Sequence, residues 1–530
     1  LAEQIAKADP RFVAALAKRG ITDLSLVCSD PWSCGVFGHA DEEGRRLIQT
    51  ITWVRNRPHD NHYAHPVEGL TAIVDINRGE VVRIDDYGVV PVPREESNYS
   101  ARFQPTWRSG LKPIEVVQPE GPSFTVDGWA VEWCGWSFRV GFTPREGLVL
   151  HDLKLRDGAT VRSILKRASL AEMVVPYGHP ADVHPRKNAF DCGEYGIGVL
   201  ANSLTLGCDC LGAIHYFDAV VNRIDGSAQV IENAICLHEE DCGVLWKHTD
   251  FRTEETEVRR GRRLVISFVA TVGNYEYGFY WHLYLDGTVE LDVRLTGIVN
   301  TAGLTQQGET GRGTRIGPGV VGHIHQHVFN VRLDMEVDGP NNTVVEVDTV
   351  ADPPGPENPW HNALSILETP LLTEKAARRR TDAARMRWWK IVNRERTTAL
   401  GHHPGYRLVP HSALRTPAAP LSQVGQRAGF VTHDIWVTPT SAEERWPAGD
   451  YVNQSAPGQG LPAWTEQDRP VADRPITVWH SFAHNHVVRP EDYPVQPSVH
   501  CGFLLQPFAF FDRNPTLDIP PATSAHSCCA

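Results

Sequence analysis

The spacing of apolar residues separates a short mixed segment from a much longer strand-rich segment. Residues 2–19 repeat apolar side chains at helical spacing and precede Gly20, so they predict one helix that ends there. Short apolar segments typical of strands follow at residues 46–54, 70–76 and 80–84. We therefore predict a small α/β domain over residues 1–95.

The remaining pattern is typical of strands. Residues 96–122 lack periodicity and are rich in Pro, Gly, Ser and Arg, which predicts a linker. Beyond them, apolar and polar positions alternate and β-branched and aromatic residues are frequent, as in residues 264–271, 278–285 and 288–295. Asp286-Gly287 predicts a two-residue hairpin turn between the last two of these segments.

Only one later segment, residues 374–387, resembles a helix. The pattern as a whole therefore predicts a mainly β protein, in which a large antiparallel β-sandwich over residues 123–530 follows the small α/β domain.

Composition narrows the classes of function. The net charge of −13 provides no basic surplus for neutralising phosphates, so we expect no nucleic-acid partner. No apolar run approaches the ~20 residues that span a bilayer, so we expect no membrane partner either. The chain opens without a basic and apolar export signal, and we therefore expect a cytoplasmic protein.

The richest candidate site is a run of alternating histidines. Residues two apart in a strand share a face, so His323, His325 and His327 would present their imidazoles side by side. Imidazoles with open positions between them suit copper or zinc. The run alone does not decide which two of the three bind, and a remote ligand is also needed. The candidates for it are His480, His484 and His486. The alternative is a polar strand face with surface histidines.

Two further segments carry unusual residues. Around Tyr275, the segment Thr271–Tyr277 places Gly, Asn and Glu where a strand disfavours them. Such choices often mark function, although the residues alone favour a bulge beside a core tyrosine. In Arg186–Tyr195, the apolar neighbours of Asp191 would raise its proton affinity and suit a general base. The commoner alternative is a capped turn or a buried ion pair.

Taken together, these segments resemble the copper amine oxidase family. The segment Thr271–Glu276 is similar to the motif from which the family forms its cofactor. His325 and His327 match its His-Gln-His copper pair, and His486 matches its third copper ligand. The resemblance implies that these three histidines bind copper, whereas His323 is a neighbour. Other blocks in the family's order extend the match over almost the whole chain, among them Pro176–Gly178, Gly207–Cys210, Cys236–Asp241 and Gly449–Tyr451.

The resemblance implies a copper- and topaquinone-dependent primary-amine oxidase. Copper and dioxygen would convert Tyr275 into topaquinone, with Asn274 holding the ring and Tyr177 hydrogen-bonded to a quinone oxygen. Gly273 would leave the ring room to move. A primary amine would form a Schiff base with the quinone, and Asp191 would remove the Cα proton as general base. Aldehyde, ammonia and hydrogen peroxide would be the products.

Substrate preference follows from the same resemblance. The family's gate position, two residues before the base, holds Ala189, which implies an open pocket. Trp32, Tyr63 and Gly193 match positions that line the substrate channel. We therefore expect aliphatic or arylalkyl primary monoamines.

Other family features concern the surroundings of the site. Cys210 and Cys236 match an intrachain disulfide, and the family implies a homodimer. Asp334 and Met335 match part of a peripheral calcium-type site. Because Pro475 stands where a carboxylate ligand is expected, we expect no tightly bound second ion there.

Two alternatives belong to other classes of function. One is a β-sandwich of the same lineage that binds a partner without catalysis. The other is a three-histidine metal hydrolase or dioxygenase in which Tyr275 stays unmodified. A coloured quinone that reacts with phenylhydrazine would distinguish the amine oxidase from both.

Overall fold

The computed structural model describes residues 1–181, 183–223, 225–305, 311–412 and 419–521. Its N-terminal part packs two helices on a four-stranded antiparallel sheet around one apolar core. The helices are α1 (Ala2–Ala8) and α2 (Pro10–Lys18), and the strands, paired in sequence order, are β1 (Val27–Ser33), β2 (Leu47–Val54), β3 (Leu70–Asp75) and β4 (Glu80–Asp86).

The prediction of one helix over residues 2–19 is wrong at Asp9. The carboxylate of Asp9 accepts a hydrogen bond from the Arg11 amide at 2.8 Å and so caps the start of α2. Pro10 has no amide hydrogen with which to continue the hydrogen bonds of α1. The predicted end is confirmed, because α2 ends just before Gly20, which adopts a φ of +74°.

The rest of the described chain is dominated by strands. In chain order they are β5 (Phe124–Asp127), β6 (Ala130–Trp133), β7 (Trp136–Thr143), β8 (Gly147–Asp157), β9 (Thr160–Pro176), β10 (Asn188–Phe190), β11 (His215–Asn222), β12 (Ala228–Thr249), β13 (Thr256–Val272), β14 (Tyr275–Tyr284), β15 (Val289–Gly297), β16 (Thr301–Gly303), β17 (Gly313–Gly317), β18 (Val320–His323), β19 (His325–Met335), β20 (Thr343–Ala351), β21 (Leu364–Pro370), β22 (Trp388–Val392), β23 (Gly405–Pro410), β24 (Ile435–Pro439), β25 (Ile476–His486) and β26 (Gln496–Phe508).

Helical pieces in this part are short. They are α3 (Gln423–Arg427), α4 (Leu461–Thr465), a π-helical turn at Asp191–Tyr195, and 3-10 turns at His184–Arg186, Ala383–Arg385, Gly429–Thr432 and Pro490–Asp492. Two further 3-10 turns, His62–Ala64 and Ala101–Phe103, lie nearer the N-terminus. No helix in the described ranges is long and apolar enough to cross a membrane.

Two large antiparallel sheets enclose a common apolar core. The nine-stranded sheet has the order β24-β25-β19-β9-β8-β7-β6-β5, with β10 also paired to β9. The ten-stranded sheet has the order β11-β12-β13-β14-β15-β26-β23-β22-β20-β21, and β16-β18-β17 form a small third sheet. Phe329 of β19 and Phe279 of β14 meet across the core, with ring centroids 6.2 Å apart. The predicted mainly β, antiparallel sandwich is confirmed.

The hairpin between β14 and β15 has a longer turn than predicted. The amide of Tyr284 donates to the carbonyl of Thr288 at 2.9 Å, so residues 285–287 form a three-residue loop. Gly287 closes it with a φ of +89°, the left-handed conformation that such loops place at their last position. The prediction of a two-residue turn is therefore wrong by one residue.

Residues 374–387 do not form the predicted α-helix. Their basic side chains contact acidic groups on separate elements: Arg378 reaches Glu466 at 2.7 Å, and Arg387 reaches Asp348 at 2.7 Å. These tertiary ion pairs hold the segment in turns and irregular backbone, including one 3-10 turn at Ala383–Arg385, and outweigh its helical propensity.

Candidate active site

Three histidines from two neighbouring strands converge. β19 and β25 pair so that His325 lies opposite His486, and His327 follows on the same face of β19. All three are buried, and one nitrogen of each lies within 4.8 Å of the others. His323 is outside this group, because β18 ends there and Ile324 separates it from β19. The expectation that the alternating histidines share one face is therefore wrong for His323.

Of the remote candidates, the structure brings only His486 into this group of described residues. His480 is buried elsewhere, with its Nδ1 donating to the carbonyl oxygen of Asp434 at 2.8 Å. His484 lies opposite His327, with ring centroids 6.4 Å apart.

The orientation of two of the imidazoles is fixed by their outer nitrogens. Nδ1 of His325 donates to the carbonyl oxygen of His323 at 2.8 Å. Nε2 of His486 lies 3.2 Å from a carboxylate oxygen of Asp492, which accepts its hydrogen. The proton is thereby assigned to the outer nitrogen, so Nε2 of His325 and Nδ1 of His486 keep their lone pairs for a ligand.

His327 completes the set. Its Nδ1 is hydrogen-bonded to the hydroxyl of Tyr277 at 2.8 Å, and its Nε2 is buried without a hydrogen-bond partner among the described residues. An unsatisfied buried polar atom costs about 1–3 kcal/mol, which points to a missing ligand. Burial, followed by repulsion among the imidazoles, holds the pKa of His325 and His327 well below the ordinary value. Three neutral imidazoles fit copper or zinc.

Tyr275 is directed at the same nitrogens. It is the first residue of β14, on the facing sheet, and it is 3% exposed. Its hydroxyl lies 2.8 Å from Nε2 of His325 and 3.2 Å from Nδ1 of His486. Burial raises the pKa of this phenol well above its usual value, so in the absence of a metal it is protonated.

A tight hairpin turn places Tyr275. Val272 of β13 pairs with Tyr275, so Gly273 and Asn274 form a two-residue turn rather than the expected strand bulge. Gly273 has a φ of +59°, and a side chain there would meet no atom within 4 Å. The side-chain amide of Asn274 donates to the carbonyl of Ile298 at 2.6 Å. Asn274 therefore fixes the turn that carries the tyrosine. Among the described residues, its side chain makes no hydrogen bond to Tyr275.

Asp191 opens a π-helical turn directly after β10, a conformation that is frequent at functional sites. It is 1% exposed, and its Oδ1 has no hydrogen-bond partner in the described part of the chain. Burial raises its pKa well above the usual value, and the neighbouring carboxylates of Glu172 and Glu194 add to the effect. A carboxylate of this kind retains a strong tendency to take up a proton.

A cavity of about 190 Å³ connects these groups. Most of its wall is apolar or aromatic, and it includes Trp32, Tyr177, Ala189, Asp191 and Tyr275 among its lining residues. The structure thus brings the predicted base, the tyrosine and four of the predicted neighbours, Trp32, Tyr177, Ala189 and Asn274, to one pocket.

Two residues assigned to the channel do not line this cavity. Tyr63 lies outside it, and its hydroxyl donates to the Asp30 carboxylate, a lining group, at 2.7 Å. Gly193 faces another depression, and a side chain there would come within 2.3 Å of Val452 and 2.5 Å of Glu172. The glycine is thus required by close packing, and its assignment to the substrate channel stays a prediction.

Tyr177 has a hydroxyl available to a ligand. That hydroxyl is buried without a hydrogen-bond partner among the residues described. Its ring stacks on His325, with centroids 4.5 Å apart and planes 13° apart, and Trp32 packs edge-on against it at 5.9 Å. The phenol is thereby held against the histidine cluster with a free hydrogen-bonding group.

Sequence reasoning missed several contributors. Asp30 lines the cavity from β1, a strand that was not predicted because Asp-Pro and two serines interrupt its apolar pattern. Tyr277 lies two residues after Tyr275, a period-two signal that could have placed it on the same face. Asp492 follows His486 by six residues, and its contact with that imidazole is visible only in the structure.

The peripheral family features remain predictions. Cys210 and Cys236 share a small cluster and lie in mutual contact, as two unbonded thiols. The Asp334 carboxylate is engaged by Arg332 at 2.9 Å and by the Thr477 hydroxyl at 2.7 Å. An ion at Asp334 would have to compete with that guanidinium.

Comparisons with known proteins agree with this geometry. The family model described as "Copper amine oxidase, enzyme domain" matches residues 125–526, and the model described as "Copper amine oxidase, N3 domain" matches residues 1–104. The copper methylamine oxidase of Arthrobacter sp. (strain P1) is 49% identical over 536 residues, which cover 99% of this chain and 82% of that protein. The histamine oxidase of Arthrobacter globiformis is 47% identical over 525 residues, covering 99% and 76%.

A solved structure gives the same result. The crystal structure of a copper-containing benzylamine oxidase from Hansenula polymorpha matches with a TM-score of 0.91 and 34% identity, covering 98% of this chain and 83% of that one. With both domain descriptions matched and relatives aligned over nearly its whole length, the chain belongs to the copper amine oxidase family of enzymes.

Proposed function

We propose that this chain deaminates primary amines, converting amine, dioxygen and water into aldehyde, ammonia and hydrogen peroxide, with a topaquinone made from Tyr275. One observation carries the proposal: the Tyr275 hydroxyl lies 2.8 Å from Nε2 of His325 and 3.2 Å from Nδ1 of His486. A structural tyrosine requires a single hydrogen-bond partner. The Tyr275 hydroxyl instead contacts two of the nitrogens that would hold the metal.

His325, His327 and His486 would hold the copper. The copper supplies redox chemistry toward dioxygen, and the quinone supplies a carbonyl for the amine nitrogen and a sink for its electrons. Burial favours the neutral form of all three imidazoles. The outer hydrogen bonds of His325 and His486 keep the inner nitrogens of those two rings unprotonated.

Asp191 would act as the general base for the substrate. Its Oδ1 is free in the cavity that Tyr275 also lines, so it can accept the proton from the carbon that carries the amine. A base works best when its pKa is close to the working pH. Burial and the nearby carboxylates raise the pKa of Asp191 toward that range.

Tyr177 would orient the ring derived from Tyr275. Its free hydroxyl can donate a hydrogen bond to a ring oxygen, and its stacking on His325 prevents it from turning away.

The cavity favours small aliphatic and arylalkyl monoamines. Ala189, Leu200 and Val272 present apolar side chains, and the alanine leaves room for an aromatic group. A second ammonium, as in a diamine, would lose hydration against this wall, and Asp30, the lining carboxylate besides Asp191, already accepts a hydrogen bond from Tyr63. Relatives named for methylamine, histamine and benzylamine support this range.

The test begins from copper-free protein. Copper and air should produce a coloured protein with one phenylhydrazine-reactive group per chain, and methylamine and benzylamine should then yield hydrogen peroxide. Tyr275→Phe should bind copper but stay colourless and inactive. Tyr280→Phe, on the same strand beside Arg294, is the matched control and should behave as wild type.

The outcomes separate the alternatives. A wild-type protein that binds copper but stays colourless and silent to phenylhydrazine would favour a metal hydrolase or dioxygenase with unmodified Tyr275. A protein that binds no copper would favour a non-catalytic binding function.

A further inference from the structure

A second group of three imidazoles lies outside the set described above. It consists of His179, His184 and His323, which each offer a nitrogen within 4.8 Å of the others. The ring centroids lie 4.4 Å apart for His179 and His323, 4.5 Å for His184 and His323, and 5.0 Å for His179 and His184. Such mutual proximity among three histidines is typical of a metal site.

The backbone fixes this group in place. His179 and His184 belong to the connection between β9 and β10, and His184 begins a 3-10 turn. The amide of Gly178 donates to the carbonyl of Ile324 at 3.0 Å, which ties this connection to the residue after His323. The site therefore combines two segments that are paired by main-chain hydrogen bonds.

His184 has the features of a prepared ligand. It is 3% exposed, and its Nε2 donates to the carboxylate of Glu68 at 2.9 Å. Its Nδ1 is buried and has no hydrogen-bond partner within the described ranges. Glu68 is itself held by the Gly303 amide at 2.8 Å. A buried carboxylate that fixes the outer nitrogen of a histidine is the arrangement found behind metal ligands.

His179 gives the site access to solvent. It is half-buried, and its Nδ1 receives only a long hydrogen bond, 3.3 Å, from the Ala181 amide. Two imidazole nitrogens on one tetrahedral ion lie roughly 3.3 Å apart, since each metal–nitrogen bond is about 2.0 Å. The observed limit of 4.8 Å therefore requires the rings to close by at most about 1.5 Å. Rotation of the half-buried His179 ring can supply such a movement.

We propose that His179, His184 and His323 form a second site for a divalent first-row transition ion, with Zn²⁺ the best match to three imidazoles and an open position. Glu68 offsets part of the charge of the ion, and Lys187, which donates to Asn300 at 2.7 Å, is the opposing cation in this region. Soft thiolates are absent from the group, and its lack of carboxylate ligands disfavours calcium or magnesium.

The second site is joined to the first. The carbonyl oxygen of His323 accepts the Nδ1 hydrogen of His325 at 2.8 Å. An ion on the His323 imidazole would steady the peptide that orients His325.

The test counts metals in the copper-loaded, full-length protein. After equilibration with Zn²⁺ and removal of loosely bound metal, mass spectrometry of the metals should give one copper and one zinc per chain. His179→Ala should keep its copper and its phenylhydrazine-reactive group but bind Zn²⁺ about 10–100-fold more weakly or worse, since that range already applies to loss of an outer contact. His215→Ala, another half-buried histidine, is the matched control and should keep both ions.

Glu68→Gln provides a second variant, because glutamine can still accept from the Gly303 amide while its carboxylate charge is lost. It should weaken Zn²⁺ binding and leave the copper in place. The proposal is overturned if wild-type protein binds no zinc beyond its copper, or if His179→Ala and Glu68→Gln bind Zn²⁺ as tightly as wild type. Both results are independent of amine oxidation, so a failure here is distinct from a failure of the proposed activity.

Discussion

The hydroxyl of Tyr277 lies 2.8 Å from Nδ1 of His327 and is that nitrogen's hydrogen-bond partner. Both side chains are fully buried, one on each of the two facing sheets. With a metal on the unpartnered Nε2, the proton of His327 would reside on Nδ1 and the Tyr277 hydroxyl would accept it. A second aromatic residue on the strand of Tyr275 therefore contacts the histidine cluster, on the outer nitrogen of His327.

Loss of that hydroxyl should weaken copper binding. Tyr277→Phe preserves the ring and its packing but leaves Nδ1 of His327 without a partner, so the copper affinity should fall about 10–100-fold. Competition with a copper chelator measures this change. Tyr280→Phe on the same strand should leave the affinity unchanged, and equal affinities for all three proteins would contradict the assigned role.

Removal of the base should separate cofactor formation from turnover. Asp191→Asn keeps the shape of the side chain but cannot accept the substrate proton, so kcat should fall about 10²–10⁴-fold. The phenylhydrazine titre should stay that of wild type, because Asp191 contacts none of the three clustered histidines through a described hydrogen bond.

Asp30→Asn is the matched control for that variant. Asp30 lines the same cavity, but its carboxylate already accepts from Tyr63 at 2.7 Å. We expect a much smaller loss of kcat in Asp30→Asn. Near-normal turnover in Asp191→Asn would exclude Asp191 as the base.

The pH profile should report the environment of Asp191. Its carboxyl must be ionised to act as a base, so kcat/KM should rise as the pH passes upward through its raised pKa. Glu172, whose own pKa burial raises to about 7, contributes to that rise through its charge. Glu172→Gln removes the charge, lowers the pKa of Asp191 and should move the acidic limb of the profile to lower pH.

Glutamine at position 172 can still accept from the amides of Cys192 and Gly193, which Oε1 now binds at 3.2 Å and 3.0 Å. Because burial is the largest cause of the raised pKa, the limb should move only part of the way to the usual carboxyl range. A limb that stays in place or moves to higher pH would show that Glu172 does not act on the base.

Part of this site can be predicted from the sequence, because some of its residues lie close together along the chain. The period of two in β19 places His325 and His327 on one face. Spacing alone predicts a bulge beside Tyr275, where Gly273 and Asn274 form a hairpin turn. The opposite position of His486 depends on the register between β19 and β25, which local spacing does not determine. The choice of His486 as the third member of the group came instead from the resemblance to a known family.

Other features depend on tertiary contacts and could not be predicted in the same way. Residues 374–387 have helical periodicity, but ion pairs such as that of Arg387 with Asp348 keep them from forming an α-helix. The grouping of His179 with His323 likewise requires the pairing of Gly178 with Ile324, two segments far apart in the chain.

Enlarging Ala189 should change the range of substrates. Ala189 is 7% exposed and lines the cavity that Tyr275 and Asp191 share, so the ring of Ala189→Phe would occupy space that an aromatic substrate needs. We expect kcat/KM for benzylamine to fall about 10–200-fold, the range over which changes in a hydrophobic pocket act, while that for methylamine changes little. Val220→Phe adds the same ring at a 64%-exposed position on β11 and should alter neither value. If both amines lost activity equally in Ala189→Phe, the residue would affect the chemistry or the fold rather than the space for substrate.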